Sequence, residues 1–95
     1  MKKYTVTASD IEKFNEIIDV RSPREYSLDH IPHSINLPVL NDLEHSKIGE
    51  MYTQQSRFVA KKFGAQMVAR NIARHLEETL HHRNKSWVPL IYCWR

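Results

Sequence analysis

The chemistry in this sequence turns first on Cys93, the single cysteine. It closes the run Pro89-Leu90-Ile91-Tyr92-Cys93-Trp94-Arg95. That run opens after a proline, is rich in β-formers and is too short for a helix, so it reads as a buried strand. In parallel α/β sheets the ligand crevice lies just beyond the carboxyl ends of the strands. A thiol at that point is placed as a nucleophile, and loop amides after it would stabilise the thiolate and cradle an anion. The plainer alternative is a buried structural cysteine, since free cysteine is among the most buried residue types. An unperturbed cysteine has a pKa of about 8.5, so only roughly 3% is thiolate at pH 7. With Arg95 as the terminus, its carboxylate lies within ~7 Å of Cys93 along the chain. That charge opposes thiolate formation, and the Arg95 guanidinium offsets it in part.

Asp19 and Arg21 flank the end of another apolar run, Ile17-Ile18-Asp19-Val20. They either face the same crevice as Cys93 or form an ion pair tying strand to helix, and the ion pair is the plainer reading. His30 and His33 bracket Pro32 and read as turn histidines, although proton transfer or metal binding is open to them. His81-His82 has no cysteine or carboxylate set at ligand spacing, so no metal site is expected. Arg70 and Arg74 lie four apart on one helical face, with Lys61 and Lys62 earlier. They could hold RNA phosphates; alternatively they form a solvated face, with Arg74 paired to Glu77 or Glu78.

The elements that must position these residues follow from pattern. Tyr4 to Val6 alternates as a first short strand. Ser9 and Glu12 form a capping box for a short helix whose buried face is Ile11 and Phe14. Ile17 to Val20 is a second strand, apolar enough to be covered on both faces. Ser22, Pro23 and Glu25 give the cleanest helix start in the chain, with Glu25 as the capping-box residue. That helix ends at His30-Ile31-Pro32. Ser34 to Pro38 is a third strand, so strand–helix–strand order argues for parallel βαβ units. Asn41 caps a helix over Asp42 to Tyr52, weakened by Gly49. Ser56 caps a longer one from Arg57 to His82, with the apolar stripe Val59, Phe63, Met67, Ala69, Ile72, Ala73, Leu76 and Leu80.

The chain has 95 residues, enough for one small domain. Hydrophobic residues at 41% and charged residues at 26% place it among ordinary globular domains. No stretch is long and apolar enough to cross a membrane, and no apolar region follows Lys2-Lys3, so no secretion signal is read. A lone cysteine suits a reducing cytoplasm. The net charge of +3 permits a nucleic-acid partner without requiring one.

Two segments carry a family resemblance. Asp19-Val20-Arg21-Ser22-Pro23-Arg24-Glu25-Tyr26, followed by His30-Ile31-Pro32-His33-Ser34-Ile35-Asn36-Leu37-Pro38, resembles the start of a rhodanese domain, with its DVR, EY and GHIPGAINLP pattern. Further features resemble the N-terminal rhodanese domain of the bacterial tRNA 2-selenouridine synthase family. They are Leu37-Pro38-Val39-Leu40-Asn41-Asp42, the long helical insert ending Ala69-Arg70-Asn71-Ile72-Ala73-Arg74-His75, and Tyr92-Cys93-Trp94-Arg95. The resemblance covers nearly the whole chain. It implies a three-layer α/β/α fold around a parallel sheet ordered third–second–fourth–fifth–first, with a long helical insert before the cysteine strand. It implies exchange of sulfur for selenium in the wobble 2-thiouridine of tRNA, with selenophosphate as donor and Cys93 as the chalcogen-handling thiol. Asp19, Arg21, Arg95, Arg70 and Arg74 are then candidate substrate contacts, and tRNA the implied partner. No cofactor is expected for these residues themselves. The family's P-loop domain, through which geranyl diphosphate would be used, has no counterpart here, since no GxxxxGK[ST] occurs.

Two positions depart from the pattern: Asp29 and His33 stand where it has glycines, and a positive φ at His33 would carry a cost. The family's loop, helix and last strand after the cysteine are not in the sequence. The expectation is therefore a C-terminally truncated single domain over 1–95, nearly inactive alone, with its first strand left without a neighbour and an edge of the cysteine strand exposed. A general sulfurtransferase, a non-catalytic binding module and a phosphatase of the same fold are the alternatives. Trp94 and the long insert argue against the phosphatase.

Overall fold

Apolar residues in β-rich runs bring three segments side by side. The computed structural model describes residues 10–93. Strands β1 (Glu16–Asp19), β2 (Ile35–Asn36) and β3 (Pro89–Tyr92) form a parallel sheet in the order β2-β1-β3. Ile18 pairs with Ile35 on one side of β1 and with Ile91 on the other. This matches the third–second–fourth segment of the expected order. The expected first strand, Tyr4 to Val6, and the Ser9 cap lie outside the described residues.

The helices start where the caps direct. Helix α1 (Pro23–Leu28) begins at Ser22, whose side chain accepts the Glu25 N–H, with Pro23 in the first turn. The Glu25 carboxylate accepts from the Ser22 hydroxyl. Helix α2 (Asp42–Gln54) carries a reciprocal capping box between Asn41 and Glu44 and runs through Gly49 two residues past the expected end. Helix α3 (Arg57–Glu78) is capped by Ser56 and stops four residues short of His82.

Several expectations are corrected in detail. The helix expected around Ile11 and Phe14 is a single 3-10 turn, Ile11–Lys13, and both residues are only half-buried. The third strand is only two residues long, although Leu37 N–H still bonds to the Asp19 carbonyl and Val39 N–H to that of Val20. The apolar stripe of α3 is not fully covered: Val59, Ile72 and Leu76 are exposed. Nor is β3 a buried strand. Among the described strands it is an edge, and Ile91 is 58% exposed.

Side-chain alternation assigns the two sheet faces. Ile18, Val20, Pro89 and Ile91 face α3 across an apolar cleft of about 350 Å³, which Ile72, His75 and Leu76 also line. On the opposite face Asp19 and Tyr92 stand in register. Among the described residues the buried apolar side chains are Ile18, Leu40 and Ala60, whereas Asp19, Ser22, Ser34 and Asn71 are buried polar ones. A core so rich in polar groups holds only because they are hydrogen-bonded. Asn71 on α3 donates to the Val39 carbonyl at 2.8 Å and to Glu44 Oε1 at 3.0 Å. His75 Nε2 lies 2.6 Å from the Pro38 carbonyl. These contacts fasten the long helix to the loop leaving β2.

Candidate functional site

Because β2 lies on one side of β1 and β3 on the other, the order of strand addition reverses at β1 and leaves a crevice at the carboxyl ends of the strands. An open cleft of about 550 Å³ lies there, lined by Arg21, Asp29, His30, Ile31, Pro32, Tyr92 and Cys93. Cys93 is a free, exposed thiol, so the buried structural reading does not hold. Trp94 and Arg95 lie outside the described residues.

Arg21 lines the cleft in a fixed pose. Its Nε donates to Asp19 Oδ1 at 3.1 Å, its Nη2 to Oδ2 at 2.8 Å, and its backbone N–H to Oδ1 at 2.8 Å. A further bond runs from Nη2 to the Asp29 carbonyl. The Asp19 side chain is fully buried and that of Arg21 is 19% exposed. Burial is the strongest single influence on Asp19 and pushes its carboxyl up. The hydrogen bonds from Arg21 and Tyr92, with the Arg21 charge, together outweigh it and hold the pKa below the ordinary value. The Asp19 carboxylate in turn raises Arg21, so the guanidinium stays cationic. The two form an ion pair, and of the two Arg21 lines the cysteine cleft while Asp19 does not.

The other wall is the segment from Asp29 to Pro32, and a turn carries it on to Ser34. Tyr26 of α1 donates to the Ser34 carbonyl at 2.6 Å, and Ser34 Oγ donates to the Ile31 carbonyl at 2.6 Å. His33 sits in this turn at φ 68°, the left-handed conformation in which a glycine would be unstrained. His30 stacks on Tyr26 with ring centroids 3.7 Å apart, and its Nδ1 lies 2.6 Å from the Tyr26 carbonyl. A carbonyl only accepts, so Nδ1 carries the proton and Nε2 is the nitrogen left for other partners. His33 lies in the turn that was expected, and His30 in the irregular stretch between α1 and that turn. Among the described residues no group of three or more His, Cys, Asp or Glu gathers as a metal site, and the rings of His81 and His82 meet edge to face, 5.0 Å apart.

Arg70 and Arg74 are exposed on α3 and do not line the cleft. Among the described residues neither enters an ion pair, so the expected pairing of Arg74 with Glu77 or Glu78 is not formed. Sequence reasoning passed over Tyr92. Its hydroxyl donates to Asp19 Oδ2 at 2.7 Å and accepts the Ile31 N–H at 3.2 Å. It also missed the cluster in which Arg83 Nη2 and Trp87 Nε1 hold Glu16 at 2.8 and 2.9 Å, fixing the start of β1 to the segment before β3. A signal for Tyr92 was available: a polar-tipped aromatic inside an apolar strand needs a partner, and Asp19 ends the neighbouring strand.

An exposed thiol at the carboxyl end of a parallel strand, in a cleft that Arg21 also lines, defines a thiol-bearing α/β domain. The chain belongs to the rhodanese-like domain family, which matches residues 5–95. It is similar to tRNA 2-selenouridine synthases: 35% identical over 80 residues to that of Nitrosomonas europaea, covering 83% of this chain and 21% of the relative. Its identity to that of Proteus mirabilis is 37% over 75 residues, covering 75% and 21%. The chain thus spans about a fifth of the length of these curated relatives. Among solved structures it resembles the N-terminal domain of a protein described as ATP/GTP binding, from Clostridium difficile 630. The TM-score is 0.67 at 26% identity, covering 95% of this chain and 71% of that one. No helix among the described residues is long and apolar enough to cross a membrane.

Proposed function

We propose that Cys93 is the chalcogen-accepting thiol of a rhodanese domain working in tRNA 2-selenouridine synthesis. The intact enzyme would exchange sulfur for selenium in wobble 2-thiouridine, with selenophosphate as the selenium source. The observation that carries this reading is the exposed Cys93 thiol sharing a cleft with the locked Arg21 cation. A fixed guanidinium attracts an anionic donor such as thiosulfate or selenophosphate to the thiol. With thiosulfate, the Cys93 thiolate attacks the outer sulfur, the sulfur–sulfur bond of the donor breaks, and sulfite leaves with the electron pair. The cysteine becomes a persulfide. Intact-mass measurement after thiosulfate treatment tests this. One added sulfur atom on Cys93, absent in Cys93→Ser, is expected, and equal labelling of Cys93→Ser overturns the proposal.

A second reading concerns α3. Arg70 and Arg74 are exposed and without ion pairs among the described residues, which favours a phosphate-contacting face for tRNA. Salt-dependent tRNA binding of the double alanine variant tests it.

A further inference from the structure

Beyond the thiol itself, we infer that Tyr92 is a positioning residue that sets the relation between Cys93 and both walls of its cleft. This rests on the proposed role of Cys93. Two separate segments converge on the Tyr92 phenol oxygen. Tyr92 immediately precedes Cys93, so its backbone carries the thiol. Its hydroxyl gives its one proton to Asp19 Oδ2 at 2.7 Å, and Asp19 is the carboxylate that holds Arg21. The same oxygen accepts the Ile31 N–H at 3.2 Å, and Ile31 lies in the facing wall. Ser34 Oγ stands 3.5 Å away, but its proton is committed to the Ile31 carbonyl, so this is a packing contact. The guanidinium of Arg21 adds a contact 5.5 Å from the centre of the Tyr92 ring.

The consequence is that removing one oxygen acts on both walls at once. In Tyr92→Phe the Ile31 N–H loses its partner, and Asp19 keeps only its bonds from Arg21. The Asp29–Pro32 wall then loses its direct tie to the residue before the thiol, and Arg21 loses the link from its Asp19 partner to that residue. Truncating the Tyr92 hydroxyl therefore changes how charge is sensed at Cys93 and not only how stable the fold is.

The test is the rate of Cys93 alkylation in the full chain by iodoacetate, an anion, and by iodoacetamide, its neutral analogue. Tyr92→Phe should lower the iodoacetate-to-iodoacetamide rate ratio at least about three-fold. Ala60→Gly serves as the control, because Ala60 is fully buried in α3 and its loss weakens the fold without touching the cleft. This variant should leave the ratio unchanged. An unaltered ratio in folded Tyr92→Phe, or an equal fall in Ala60→Gly, overturns the inference. If Tyr92→Phe does not fold, amide exchange in the unmodified chain decides. Ile31 should exchange as slowly as the amides of β3, and exchange at the rate of an unprotected amide refutes the anchor. Alkylation reads the thiol's surroundings whether or not sulfur is transferred. A failed persulfide assay with a Tyr92-dependent ratio would therefore count against the proposed function alone.

Discussion

Tyr92 and Asp19 occupy paired positions on adjacent parallel strands, and the tyrosine hydroxyl donates a 2.7 Å hydrogen bond to the buried carboxylate. The carboxylate also receives the Arg21 guanidinium, so one buried group joins the strand that carries the cysteine, the central strand and a wall of the cleft. Where a buried charge is held by its partners, losing the charge is expensive.

Asp19→Asn tests that cost. The amide keeps the size but replaces one acceptor oxygen by a donor facing Arg21. Unfolding free energy from urea denaturation should fall by about 3 kcal/mol, in the range for breaking a buried pair. A loss below about 1 kcal/mol would show that the pair is ordinary surface electrostatics.

Acid should unfold the chain through two carboxylates. Glu16 is held below its ordinary value chiefly by its hydrogen bond from Arg83, and Asp19 is held below its own. Each is therefore a stronger acid folded than unfolded, and protonation favours the unfolded chain. Their contribution is complete above the unfolded values near ~4 and disappears as pH falls through the lower folded values. Thermal midpoints should be flat from about pH 8 down to about 5 and drop below that. Midpoints that keep rising on acidification to pH 3 would contradict this assignment.

His33 holds a left-handed backbone at φ 68°. His33→Gly should stabilise the chain by about 1 kcal/mol, the relief of left-handed strain offset in part by a looser unfolded chain. His33→Val, with a branched side chain, should destabilise it. Denaturant midpoints for the pair read the sign directly, and destabilisation by glycine would rule out strain at this turn.

Asn71 is buried at 3% exposure and fixes α3 to Val39 and Glu44. Asn71→Leu leaves the Val39 carbonyl without this donor and should cost about 2 kcal/mol. Amide exchange should quicken most at the start of α2, where Glu44 completes the capping box. Unchanged exchange there would mean that the cap stands without α3.

On α3, replacing Arg70 and Arg74 together by alanine should reduce the slope of log affinity for tRNA against log salt by about 2, if each meets one phosphate. An unchanged slope would remove the phosphate-contacting reading of this face.

Much of the frame was legible because it is written in local chemistry. Ser22, Asn41 and Ser56 begin their helices as cap residues do, since an unsatisfied helix N-terminus recruits the nearest short polar side chain. The β-rich runs Ile17–Val20 and Pro89–Cys93 lie near the strands observed, and the rhodanese resemblance carried the sheet order. Cys93 stood out as the lone thiol at a strand end, and Asp19 with Arg21 as a pair near it.

The tertiary structure decided what those residues face. Whether Cys93 is buried or open depends on which strands flank β3, and here it is open. Whether Arg21 is a surface charge or a fixed cleft wall depends on Asp19 being fully buried, which requires neighbours from distant segments. Tyr92 is 73 residues from Asp19 in sequence, and no local periodicity connects them. Sequence by itself determines caps, turns and strand propensity, because these arise from groups a few residues apart. The hydrogen-bond partners of a buried carboxylate are determined by strand register, and register exists only once the sheet has formed.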